Sequence, residues 1–168
     1  MSETLQKNQI KNINLQKKED IMVIQRIQTL YLLIALVLMT AFAFLTSFSF
    51  DVDGGEYLVG TLATGVEGKT SIHLLLLCLN ALVVVLTLIA IFSFKNLKLQ
   101  KRLCSISILL LIALLISIGV MIIGATGEQN LSIDISNVLP VASLLLLFLA
   151  YRGIARDQRI LIDSARIR

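Results

Sequence analysis

Lys95-Asn96-Leu97-Lys98-Leu99-Gln100-Lys101-Arg102 is the stretch on which the fold turns. It carries four basic residues and no acid. On either side lies a charge-free apolar window, residues 70–94 and 103–127. About 20 apolar residues suffice to cross roughly 30 Å of hydrocarbon. The polar island is too short for anything but the turn of an antiparallel helical hairpin. The pattern predicts membrane spans over about 72–94 and 103–126.

Composition agrees. The chain is 57% hydrophobic and 15% charged, with one proline in 168 residues and a mean hydropathy of +0.87. A soluble domain of this length cannot hide so much apolar surface in one core, so lipid is the natural solvent. There is room for one compact membrane unit. The net charge of +4 does not indicate nucleic acid, because the bases cluster at the ends of apolar runs instead of forming one soluble face. Cys78 and Cys104 fall at different depths of the two spans, on the order of 20 Å apart at 1.5 Å per residue. A disulfide needs Cα atoms within about 7 Å, so both thiols are expected to stay reduced.

Outward from the central hairpin, two further spans are expected. No charge occurs between Arg26 and Asp51, which predicts a first span over about 27–50, with Gln28 and Tyr31 near its entry. Only 17 uncharged residues separate Asp134 from Arg152. At 1.5 Å each they cover about 25 Å, short of the hydrocarbon unless Arg152 snorkels or the bilayer thins. We read residues 135–151 as the fourth span, with Pro140 in its first turns, where a missing N–H matters least. The fold class expected is therefore an all-α membrane protein, four transmembrane helices in two antiparallel hairpins over 26–154. A polar, disordered segment precedes it (1–25), and a basic amphipathic tail comes after it (155–168). In the loop after the first span, Phe48, Phe50 and Val52 alternate up to Asp53-Gly54-Gly55, and Tyr57-Leu58-Val59 comes next. That alternation suggests a short hairpin on the membrane surface, which Gly60, Gly65 and Gly68 then break.

Charge sets the orientation. Fourteen of the 15 basic residues lie before the first span, in the island or in the tail; Lys69 alone lies in an alternate loop. The positive-inside rule places both termini and the island in the cytoplasm.

Candidate sites are few. Lys95, Lys98, Lys101 and Arg102 of the island, with Arg152, Arg156, Arg159 and Arg166 of the tail, are candidate contacts for anionic lipid headgroups or for an acidic partner. The plainer reading of the island is a topology signal. In the tail, Arg152, Arg156, Arg159, Asp163 and Arg166 share one helical face, with Ile154, Leu161 and Ala165 opposite, which fits a helix lying on the inner leaflet or binding a cytosolic protein. Asn80 is read as a packing amide more readily than as the lining of a polar path. His73 has no partner ligands. Asp51, Asp53 and Glu56 lack the spacing of a full calcium loop. Ala113, Ser117, Gly119 and Gly124 offer close-approach points for helix packing. No charged residue lies mid-span, and no phosphate loop, HExxH or Ser/His/Asp arrangement is present. We therefore expect no cofactor, no metal and no enzymatic activity.

Three stretches look familiar: Ile24-Gln25-Arg26-Ile27-Gln28-Thr29-Leu30-Tyr31-Leu32-Leu33, Ile91-Phe92-Ser93-Phe94 running through the island to Leu103-Cys104, and the tail from Leu149-Ala150-Tyr151-Arg152-Gly153-Ile154-Ala155-Arg156-Asp157 to Ile167-Arg168. Over roughly residues 22–168 the chain resembles a bacterial family of small integral membrane proteins, domain of unknown function 4293, common in Bacteroidota. The family often has Asp-Glu where this tail reads Asp157-Gln158. The resemblance supports the topology and, since the family brings no known activity, leaves function open. It also implies a start near Met22, since Lys17-Lys18-Glu19-Asp20-Ile21-Met22 fits a purine-rich ribosome-binding stretch before a start codon, and residues 1–21 are expected to be an extension. The leading expectation for function is a non-enzymatic structural or assembly component with a membrane or cytosolic protein partner. The alternatives are a small permease or lipid-handling protein with a hydrated cavity near Asn80 and Thr87, and a membrane enzyme using Asp51, Asp53 and His73.

Overall fold

The computed structural model describes residues 27–52, 55–62, 64–66, 69–71, 74–94, 96–124 and 129–166. The expectations for residues 1–26, and for Asp53, His73 and Lys95, fall outside these. The chain runs through α1 (Ile27–Ala43), then β1 (Thr46–Val52), β2 (Gly55–Gly60), β3 (Thr64–Val66) and β4 (Lys69–Ser71). It continues through α2 (Leu74–Phe92), α3 (Leu97–Gly124), β5 (Gln129–Ile133), a single 3-10 turn (Ile135–Asn137) and α4 (Val138–Arg166).

The molecule is mostly helical. Three helical stretches, Leu74–Phe92, Leu97–Gly124 and Ile135–Ile160, are long and apolar enough to cross a membrane, and α1 is a shorter apolar helix. Helices suit these runs because every backbone group is satisfied within the segment. Four of the helical hydroxyls are satisfied locally too. Thr40 donates to the Leu36 carbonyl, Thr87 to Val83, Ser117 to Ala113 and Ser143 to Leu139, each four residues back.

What packs these helices is a strict alternation of four and three. The buried positions of α1 are Gln28, Leu32, Ala35, Met39 and Phe42; those of α2 are Leu76, Asn80, Val83, Thr87 and Ala90. On α3 they are Gln100, Cys104, Ser107, Leu111, Leu114 and Ile118. On α4 the series runs Pro140, Ser143, Leu147, Ala150, Ile154 and Asp157. A 3.5-residue period is that of left-handed coiled-coil packing. Small and polar side chains crowd this seam and let the backbones approach. Large aliphatics such as Val37, Leu82, Leu109, Ile116 and Leu145 point outward.

The first span was expected over 27–50, and here the structure corrects the sequence. α1 ends at Ala43, where the Phe44 and Leu45 amides bond back three residues to Ala41 and Phe42. Freedom from charge is not helicity: Thr46-Ser47-Phe48-Ser49-Phe50 alternates with period two and becomes β1. The all-α expectation is corrected with it. The surface hairpin is part of a five-stranded antiparallel sheet in the order β4-β3-β2-β1-β5. β2 does end at Gly60, but Gly65 does not interrupt the sheet, since it pairs with both Leu58 and Thr70; a ladder needs backbone, not side chains. The connection between α3 and α4 supplies β5, with Phe48 opposite Ile133 and Ser49 opposite Ser132.

The sheet is bound to the helices at this end. Phe48 and Val59 are buried against Phe50, Met121 and Ile122, the last two near the end of α3, and the Phe48 and Phe50 rings stack at 6.2 Å. The 3-10 turn holds the entry to α4 against β1. The Ser136 hydroxyl donates to the Thr46 carbonyl. Asn137 Nδ2 donates to the Ser47 carbonyl at 2.7 Å, and the Asp134 amide donates to the same oxygen at 3.1 Å.

Candidate functional site at the basic end of the bundle

Both helix connections that build the sheet lie at one end, so the island and the close of α4 meet at the other. The first turns of α3 carry Lys98, Lys101 and Arg102, and the late turns of α4 carry Arg152, Arg156 and Arg159. Lys98, Arg102, Arg152, Arg156 and Arg159 are exposed, and Lys101 is half-buried. Of Arg166 only the backbone is described.

These bases are not all equivalent. Lys98, Lys101 and Arg102 line an open groove of about 320 Å³ between α3 and α4, together with Ser105, Tyr151 and Gln158. Lys101 Nζ sits 5.7 Å from the Tyr151 ring centre, a cation–π contact of about 0.5–1 kcal/mol at such a site. A second open depression of about 300 Å³ adjoins it, lined by Asn96, Lys98, Leu99 and Arg102. Among the described residues no carboxylate lines either one.

The carboxylate of Asp157 is engaged elsewhere. Asp157 is 4% exposed, and its Oδ2 accepts a 2.7 Å hydrogen bond from Nε2 of Gln28, itself 3% exposed. This contact joins the start of α1 to the end of α4. Gly153 makes room for it: a Cβ there would stand 2.9 Å from Gln28 Cγ. The tail was expected to lie along a leaflet with Ile154 on its apolar face. In the structure α4 is one helix from Val138 to Arg166, and Ile154 is buried in the bundle core. The seam needs these turns for packing against α1. Sequence reasoning missed Asp157, though its place three residues after Ile154 was the available signal.

Other candidates lie deeper in the bundle or on the sheet. Asn80 is buried, and its Nδ2 reaches the Met39 carbonyl at 3.4 Å, tying α2 to α1. Thr87 is taken by its own helix. The Asn80 Oδ1 and Ser107 Oγ atoms are buried without a hydrogen-bond partner. Register sets Asp51 opposite Glu56 across β1 and β2. Among the described residues no group of His, Cys, Asp and Glu is arranged to hold a metal. Cys78 is exposed and Cys104 buried, both as free thiols.

A family described as Domain of unknown function (DUF4293) matches residues 24–167. The chain belongs to this family. The match takes in all four helices and the whole sheet, so the DUF4293 unit is this bundle together with its sheet. No curated protein matches the sequence. Within DUF4293, this chain's helices suggest a multi-pass membrane protein.

Proposed function

We propose that this DUF4293 protein is a non-enzymatic assembly component of the bacterial cytoplasmic membrane. Four helices cross as two hairpins, both termini and the basic end face the cytoplasm, and the sheet stands on the outer side. The observation that carries this reading is the pairing of β5 with β1. It joins the two connections at the sheet end into one hydrogen-bonded surface, fixed to the bundle through Phe48, Met121 and Ile122. Such a construction holds a surface in a set position, which is what a scaffold for other proteins requires. The charge distribution supports the orientation, with 14 of 15 bases on segments assigned to the cytoplasm.

The test is photo-crosslinking in cells from Leu58 and Ile133, both exposed on the sheet, followed by purification. A partner recovered in stoichiometric amount is expected. A monomer in mild detergent, crosslinked to nothing, contradicts the proposal.

A small permease is the second reading, favoured by the unpartnered Asn80 Oδ1 and Ser107 Oγ inside the bundle. It requires flux in liposomes that Asn80→Leu abolishes. The assembly reading expects no flux.

A further inference from the structure

The groove between α3 and α4 differs from a generic basic surface in two respects. Its lining combines three bases, Lys98, Lys101 and Arg102, with three neutral polar groups, the Ser105 hydroxyl, the Tyr151 phenol and the Gln158 amide. That set offers charge and directed hydrogen bonds to a phosphate, and Tyr151 orients one of the charges from beneath. The second respect is the apolar surface that continues the same stripe. Toward the middle of the bundle, helical spacing carries the line of Lys101 and Ser105 on to Ile108 and Ile112 of α3. The line of Tyr151 continues to Phe148 and Leu144 of α4. Ile112 is 42% and Phe148 54% exposed, while Ile108 and Leu144 are half-buried. A polar pocket thus leads directly into an apolar stripe.

From this juxtaposition we propose that the α3–α4 groove is a binding site for one anionic phospholipid. Its phosphate sits among Lys98, Lys101, Arg102 and Ser105, and an acyl chain lies along Ile112 and Phe148. A free phosphate ester satisfies the first half of the site and leaves the second without a role. Basic pockets between membrane helices recognise headgroups by this chemistry. The proposal rests on the reading of this chain as a membrane protein. It does not depend on which side the groove faces or on any protein partner, so a failed topology or crosslinking experiment leaves it standing, and its own failure leaves those readings intact.

The test is native mass spectrometry of the full-length chain with phosphatidylglycerol or phosphatidylcholine of the same acyl length, and with glycerol phosphate as the soluble competitor. Phosphatidylglycerol is expected to bind at least about tenfold more tightly than phosphatidylcholine. The combined Lys98→Gln, Lys101→Gln and Arg102→Gln variant should lose that preference, while Arg156→Gln with Arg159→Gln, outside the groove lining, should keep it. Ser105→Trp fills the groove at unchanged charge on an exposed position. It should also abolish the preference, which covers the case in which the triple variant fails to fold. A preference unchanged in Ser105→Trp, equal affinity for both lipids, or displacement of the lipid by equimolar glycerol phosphate would each overturn the proposal.

Discussion

Gln28 and Asp157 are a buried polar pair at one end of the seam, and they show how much one residue can decide in such a bundle. A buried carboxylate without a partner is strongly unfavourable. Gln28 supplies the partner, and Gly153 leaves the space for it. Gln28→Ala should therefore destabilise the protein by about 1–3 kcal/mol, the cost of an orphaned buried group. Asp157→Asn, which still accepts from the Gln28 amide, should retain most of the stability. Gly153→Ala separates space from propensity. Alanine is the better helix former by about 1 kcal/mol, yet its Cβ displaces Gln28. We expect Gly153→Ala to lower the melting temperature in the native chain and to raise it in the Gln28→Ala background. A change of the same sign in both backgrounds would contradict this account of the notch. Thermal unfolding in a fixed detergent, read by circular dichroism, checks all four.

At the scale of elements, the sheet ties the α1–α2 connection to the α3–α4 connection. Its attachment runs through Phe48 and through the bonds from Ser136 and Asn137 to the carbonyls of Thr46 and Ser47. Phe48→Ala is expected to cost about 3–5 kcal/mol, as for other buried phenylalanines. Asn137→Ala should cost about 1 kcal/mol. Hydrogen exchange should localise both effects: faster exchange in β1, β2 and β5, with the amides of α2 and of the first turns of α3 unchanged. Uniform acceleration through all helices would mean the sheet is no separate attachment. Of these elements, the apolar runs of α2 and α3 were legible because length and absence of charge suffice to mark them. The β1–β2 hairpin was legible from the Phe48, Phe50, Val52 alternation. The end of α1 was not, because an uncharged strand and an uncharged helix look alike to a test of charge. β5 was not, because five residues paired with a strand some eighty positions earlier leave no local signal.

The whole molecule inverts the usual pattern of a soluble fold. Its outside is leucine, isoleucine and valine, and its inside holds Asn80, Thr87, Gln100, Ser107 and Ser143 among alanines and larger apolar side chains. Hydrophobic periodicity is therefore faint, and the interior is marked by the small and polar positions repeating every four and three. That repeat was present in the sequence and was hidden by the surrounding leucines. The candidate site was legible in part. Lys98, Lys101 and Arg102 stand out by charge, but their distinction from Arg156 and Arg159 depends on Tyr151, Ser105 and Gln158 crossing from two helices. The central claim is that the bundle threads the membrane with its sheet outside and its basic end inside. Single cysteines at Ile133 and Arg159, both exposed, in a chain lacking Cys78 and Cys104, test it with a membrane-impermeant thiol reagent. The account predicts that Ile133→Cys labels in spheroplasts and that Arg159→Cys labels only after the membrane is opened. Labelling of Arg159→Cys in sealed spheroplasts, or protection of Ile133→Cys there, would contradict it.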